Sequence, residues 1–478
     1  MIRKKHDLVI LGAGSGGYAA ARTARDLGAD AALVDQGPLG GLCILRGCMP
    51  SKALIATSDA VQDMREAAEL GVHAGEISID FQHIMRRKAR LIRGFADYRI
   101  EGIEKFPLYM GKARFLSPRE LQVGDDTILE SPKFIIATGS VVAPSHAVHG
   151  LNEVGYIDSD GALELQELPK SLIVLGGGYI GCELGQFFSR MGVKTSIVLR
   201  SRHLLSGEDH DIGNALTDYY REEGIDVHTE TQIVRVSKRG GKKIVHIVRN
   251  GVEGELETDE VLYCLGRVPN IDGLDLEKAG VDCHHITGIE TDETMRTCQD
   301  GFFAIGDVAG KHMLVHVAIY EGEIAARNAI LGTHEKADYS LQKAHTVFSD
   351  PQVAIAGDTE RELQAKGIAY VKGTYDFAEH GKAECLNKTK GFVKIMADAQ
   401  NGKILGAAIL GSHGSDLIHE MIVAMRYGAT VQEFMLIPHL HPTMAEIWTY
   451  PAEECAAKLH VAGPGTIEPE VALGGTAG

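Results

Sequence analysis

Two absences remove whole classes of function from this sequence. There is no long basic run, and 48 Lys and Arg stand against 65 Asp and Glu, for a formal net charge of −17. Nucleic acid and anionic membrane surfaces are therefore not expected as partners. There is also no apolar stretch long enough for a bilayer. The longest runs, such as SLIVLGGGYIG at 171–181, are short and broken by glycine, whereas a spanning helix needs about 20 apolar residues. The basic start MIRKKHDLVILGAG carries only LVIL as its apolar run and no cleavage site follows, so no secretory signal is expected. Metal-ligand spacing is lacking too. Six of the eight cysteines (Cys182, Cys264, Cys283, Cys298, Cys385, Cys455) are scattered. The CHH at 283–285 reads as a solvated turn, and no metal site is expected. Scattered thiols fit a reducing compartment, here taken as the cytoplasm.

What is present is globular: 44% hydrophobic and 24% charged residues over 478 positions, enough for about three domains. DLVILGAGSGGYAAARTARDLGADAALVD reads strand, glycine turn, helix, strand. Gly12 makes the turn, Gly14 lets backbone approach a pyrophosphate, and Gly17 lets helix pack on strand. Asp35 ends the second strand, where it can accept from a ribose hydroxyl.

The same grammar returns in SLIVLGGGYIGCELGQFFSRMGVKTSIVLR at 171–200, with Gly176, Gly178 and Gly181. Two dinucleotide folds in one chain suit electron transfer from one dinucleotide to another. At the acid position of the second fold stands Leu199, followed by Arg200. A carboxylate repels a 2′-phosphate and an arginine attracts it, so the sequence leans toward NADP(H). From about residue 345 the texture changes to alternating strands and helices without a nucleotide fingerprint, an α+β segment.

Cys43 and Cys48 follow the first nucleotide unit in GGLCILRGCMPSK. The spacing admits a structural staple, half a metal site, or a disulfide that opens and closes. A zinc site needs four ligands and no second pair matches. Lys52 lies one helical turn beyond Cys48, where a cation stabilises a thiolate. Thiol exchange needs a proton shuttle. His441 in HPTMAE, with Glu446 five residues on to orient it, is the candidate, and His439 is its rival.

These residues, with ATG at 137–139, GRVPN at 266–270 and GDVAG at 306–310, resemble the class I FAD-dependent pyridine nucleotide-disulfide oxidoreductases, with the dihydrolipoamide dehydrogenases as the nearest branch. The resemblance covers about residues 6–455. It implies an α/β fold: two Rossmann-like dinucleotide-binding domains and a C-terminal α+β dimerisation domain. The expected division is 1–150 for the first part of the FAD domain, 151–268 for the NAD(P) domain, 269–341 for the return of the FAD domain, 342–462 for dimerisation and 463–478 for a flexible tail.

The resemblance also implies FAD against Gly12, Gly14, Gly17, Asp35, Gly41, Lys52, Ala113, Thr138, Gly139, Asp307 and Val315. It places NAD(P) against Gly176, Gly178, Tyr179, Ile180, Gly181, Arg200, Gly266 and Arg267. Cys43 would exchange with substrate and Cys48 would face the flavin, while Lys52 and Glu183 would form an ion pair near it. His441, oriented by Glu446, would act in trans across a homodimer. The implied activity oxidises a small dithiol or a lipoyl-carrying protein and passes hydride to NAD(P)+. An NADPH-driven reductase of another disulfide, glutathione-reductase-like, stands as the alternative. Arg46 departs from the family's usual small apolar residue in the redox loop.

Overall fold

The computed structural model describes residues 2–73 and 75–461. The expected tail at 463–478 lies outside the described residues. No helix among them is long and apolar enough to cross a membrane. The chain divides into two compact units. The first takes the chain to Val61, Ile77–Arg200 and Glu230–Gln342; the second takes Gln62–Glu76, Ser201–Thr229 and the chain from Lys343.

The first unit is built on parallel sheets. In the order Phe302–Ala304, Phe134–Ile136, Leu8–Leu11, Ala31–Asp35, Leu108–Met110, five strands pair in parallel. The runs LVIL, FII and FFA are buried at every residue because both faces of such a sheet are covered. On one face Phe115, Phe134 and Phe302 pack with ring centroids 5.0–5.3 Å apart. Helix α1 (Ser15–Asp26) lays Ala20, Ala21 and Ala24 on the other face.

The second nucleotide unit repeats the design. Ser171–Leu175 pairs in parallel with Lys194–Val198 on one side and Glu260–Tyr263 on the other. An antiparallel three-stranded sheet, Thr231–Arg239, Lys242–Arg249 and Val252–Thr258, stands beside these strands in the sequence.

The two glycine turns are equivalent in steric detail. Gly12 has φ +102° and a Cβ there would meet Ala137 O at 2.3 Å; Gly176 has φ +108° and would meet Cys264 O at 2.5 Å. A Cβ at Gly17 would meet Gly12 O at 1.9 Å, and one at Gly181 would meet Gly176 O at 2.1 Å. No other residue fits these turns.

The second unit carries a five-stranded antiparallel sheet in the order His345–Val347, Gln352–Gly357, Ile404–Gly411, Phe392–Asp398, Tyr370–Asp376. The helix Thr449–Val461 lies so close that a Cβ at Gly373 would meet Pro451 O at 2.0 Å. Lys394 is fully buried, with Asp209, Asp211 and Glu360 each 2.8 Å from Nζ. Those carboxylates converge as metal ligands would, but the Lys394 ammonium already stands among them as a shared cation. Sheet and helices together make the α+β segment.

Candidate active site

The short helix Gly41–Arg46 ends at Gly47, and α2 (Cys48–Glu66) begins at once. Ser51 Oγ donates to Gly47 O at 2.9 Å and to Cys48 O at 3.1 Å, fixing the first turn of α2. Cys43 and Cys48 are half-buried free thiols on either side of this joint. Their hydrogen bond splits them chemically. It lowers Cys48, with help from Lys52 and against burial, to about 7. The same bond, with burial, pushes Cys43 far up. Cys48 thus holds the thiolate and Cys43 the proton.

Lys52 reaches Glu183 on α3 (Tyr179–Arg190), Nζ to Oε2 at 2.8 Å and to Oε1 at 3.0 Å. The pair ties the redox helix to the second nucleotide fold. Between the sulfurs, Arg46 pairs with Asp160 at 3.0 Å.

The cradle of the first fold is made of backbone. Gly14 caps α1 without a side-chain bond, and a Cβ at Gly41 would meet Gly14 Cα at 2.7 Å. Asp35 is oriented by Ala13 N at 2.8 Å and Gly37 N at 2.7 Å. Helix-terminal amides, a side-chain-free groove and a fixed carboxylate fit the pyrophosphate and ribose of a dinucleotide.

Three motifs distant in sequence interlock beside it. Thr138 Oγ1 donates to Asn270 O at 2.7 Å, Asn270 N donates to Gly139 O at 2.9 Å, and Asn270 Nδ2 returns to Thr138 O at 3.1 Å. Arg267 donates to Ser140 Oγ and O, both at 2.9 Å, and Ser140 Oγ donates to Asp307 Oδ2 at 2.6 Å. Ser140 and Asn270 were missed by sequence reasoning. Their signal was adjacency: Ser140 directly follows ATG and Asn270 ends GRVPN. Ala113 opens the strand Ala113–Ser117, and Val315 opens the helix Val315–Leu331.

At the second fold, Gly178 caps α3 and Tyr179 and Ile180 open it. Gly266 turns with φ +123°. Leu199 is buried where Asp35 stands in the first fold, and Arg200 beside it is exposed.

His441 and Glu446 belong to the second unit. His441 Nδ1 lies 3.0 Å from Glu446 Oε2 and 3.2 Å from Oε1. The imidazole side chain is 82% exposed and the carboxylate 11%. The rival His439 is buried and spends both nitrogens, Nδ1 on Ile437 O at 2.9 Å and Nε2 on Glu420 Oε1 at 2.7 Å. Only His441 of the two keeps a ring open for proton transfer.

The family model described as pyridine nucleotide-disulphide oxidoreductase matches residues 6–322, and that of its dimerisation domain matches 343–452. A dihydrolipoyl dehydrogenase of Geobacillus stearothermophilus is 36% identical over 453 residues, covering 94% of this chain and 95% of that one. Dihydrolipoyl dehydrogenase of Bacillus subtilis (strain 168) is 34% identical over 454 residues, covering 94% and 96%. Among solved structures, the HOCl-induced flavoprotein disulfide reductase RclA from Escherichia coli superposes with a TM-score of 0.83 at 26% identity, covering 94% of this chain and 99% of that one.

Proposed function

The chain belongs to the pyridine nucleotide-disulphide oxidoreductase family, and from that premise we propose that it is a dihydrolipoyl dehydrogenase-like enzyme, oxidising a dihydrolipoyl dithiol at Cys43 and Cys48. The coarser statement, a flavin-dependent disulfide oxidoreductase, follows from the family itself. The observation that carries the finer reading is the likeness to dihydrolipoyl dehydrogenases, 34–36% identical over more than nine-tenths of the chain; the split between the two sulfurs supports the thiol chemistry itself.

In the oxidised enzyme Cys43 and Cys48, free thiols in this structure, would be joined as a disulfide. A substrate thiolate attacks Cys43 Sγ; an S–S bond forms to substrate and the Cys43–Cys48 bond breaks. Cys48 leaves with the electron pair as a thiolate, which its low pKa favours. The second substrate thiolate attacks the mixed disulfide, closing the substrate ring and releasing Cys43, which takes a proton. His441, held by Glu446, accepts the protons that the substrate dithiol gives up. Lys52 keeps a positive charge facing the Cys48 thiolate. Gly12, Gly14, Asp35 and Asp307 would hold FAD, whose chemistry when bound is two-electron transfer, and Gly176, Gly178 and Gly181 would hold the nicotinamide dinucleotide.

A homodimer is part of the reading. The second unit exposes Val423, Tyr427, Leu436 and Leu440, an apolar surface suited to a second copy of the dimerisation domain. In that dimer His441 would serve the sulfurs of the other subunit.

A second reading, NADPH-driven reduction of another disulfide, is favoured by one observation: Leu199 and Arg200 replace the strand-end acid. Turnover of dihydrolipoamide against oxidised glutathione, each with both nicotinamides, separates the two. Efficient NAD(P)+-linked dihydrolipoamide oxidation, abolished in Cys48→Ser, is expected. Turnover only of glutathione with NADPH would replace the first reading by the second.

A further inference from the structure

Glu446 faces a second histidine. His380, between the short helices Phe377–Glu379 and Gly381–Cys385, is 0% exposed. Neither of its ring nitrogens has a hydrogen-bond partner. The nearest charge is Glu446, with Nε2 3.6 Å from Oε1. A buried imidazole without a partner is costly, and a shift of a few tenths of an ångström would give it one. The main chain around it is pinned, and one aromatic ring lies beside it. His380 N donates to Phe377 O at 3.1 Å, Glu384 N donates to His380 O at 3.0 Å, and the ring of Tyr450 packs edge-on at 6.2 Å. Tyr450 is itself stacked on Tyr375 at 4.0 Å.

We propose that His380 is a positioning residue for Glu446: it donates Nε2–H to Oε1, so that the carboxylate is shared between a buried imidazole and the exposed His441. This rests on the reading of His441 as the base. The consequence is electrostatic. A donor on Glu446 spreads its charge and weakens its hold on a proton at His441. Burial, and the neighbouring His441, lower the pKa of His380 against the pull of Glu446, so the ring stays a neutral donor at working pH. Among the described residues, the further titratable groups around the trio are few. They are Tyr450 from the helix above and Tyr375 from the sheet, with Glu379 and Glu384 acting on Tyr375. None of these places a cation beside Glu446.

The test is the pH dependence of kcat/KM for dihydrolipoamide in the purified FAD-loaded dimer. Wild type is compared with His380→Leu, His380→Asn and the control His441→Ala. His380→Leu removes the donor, so His441 holds its proton more tightly and the acid limb moves to higher pH, by about half a unit or more. His380→Asn keeps an N–H donor and keeps the limb near its wild-type position. Should His380→Leu fail to give a dimer, His380→Phe, of similar shape and also without a donor, carries the same expectation. An unmoved limb in the donor-less variant overturns the proposal, even if kcat falls at every pH. Unchanged turnover in His441→Ala is a different failure: it removes the base assignment, and this proposal with it.

Discussion

Lys52 and Glu183 stand 131 residues apart and meet as a two-point ion pair, at 2.8 and 3.0 Å from Nζ. The relation couples the redox helix to the second nucleotide fold through one partly exposed cation and one buried carboxylate. Its two members act on Cys48 in opposite senses, Lys52 lowering the thiol and Glu183 raising it.

Lys52→Met should therefore raise the Cys48 pKa and leave Glu183 buried without its cation. The expected destabilisation is about 2 kcal/mol, below the usual figure for a buried pair because Lys52 retains some solvent. Urea unfolding gives the stability, and the pH profile of thiol alkylation gives the pKa. A profile identical to wild type would show that Lys52 does not act on the sulfur.

In the reduced protein, iodoacetamide should modify Cys48 with a rate that rises through about pH 7. Cys43, held far above its ordinary value by its bond to Cys48 and by burial, should stay protonated over that range. Cys43→Ala removes the hydrogen bond and should move the Cys48 profile to higher pH. Peptide mass spectrometry after short exposures reads both sites. Equal labelling of the two cysteines at every pH would contradict the assignment.

Much of this site was legible because its constraints are local. Gly12 and Gly176 are dictated by positive φ and a carbonyl pressed against the Cα. Cys43 and Cys48 flank a helix joint, and Lys52 lies one turn beyond Cys48. What depends on distant partners was not legible. His439 and His441 look alike in the sequence, and Glu420, 19 residues before His439, distinguishes them. Ser140 gains meaning only when Arg267 and Asp307 arrive from 127 and 167 residues away. Lys394 is fully buried on its strand because Asp209, Asp211 and Glu360, distant in the sequence, come to meet it.

That lysine gives a stability prediction with a definite sign. Burial opposes ionisation of Asp209 and Glu360, but Lys394 outweighs it and holds both below their ordinary values. Carboxylates depressed in this way stabilise fully above their unfolded pKa, about 4, and lose that contribution as pH falls through the folded values. Burial likewise opposes the charge on Lys394, and Asp211, Asp209 and Glu360 raise it overall. Its contribution is complete below about pH 10 and fades only in strong alkali. Lys394→Met should cost about 3–5 kcal/mol at pH 7 and flatten the acid arm of the stability curve. Denaturant unfolding between pH 3 and pH 8 checks both. An acid arm unchanged in the variant would place the responsible carboxylates elsewhere.

The expected nicotinamide preference rests on Leu199 and Arg200. Leu199 removes the carboxylate that would repel a 2′-phosphate, and Arg200 next to it is exposed. If Arg200 contacts that phosphate, one charge-assisted bond contributes about 1.5–3 kcal/mol, roughly tenfold or more in kcat/KM. Arg200→Glu replaces attraction with repulsion and should shift the NADP-to-NAD ratio toward NAD by at least that factor. The loss should fall on KM for NADP while kcat with saturating NAD stays near wild type, as expected of a residue that acts only on the 2′-phosphate. Steady-state kinetics with each nucleotide measures the ratio. An equal ratio in both proteins would mean that Arg200 is a solvated surface charge and that Leu199 alone leaves the pocket indifferent to the phosphate.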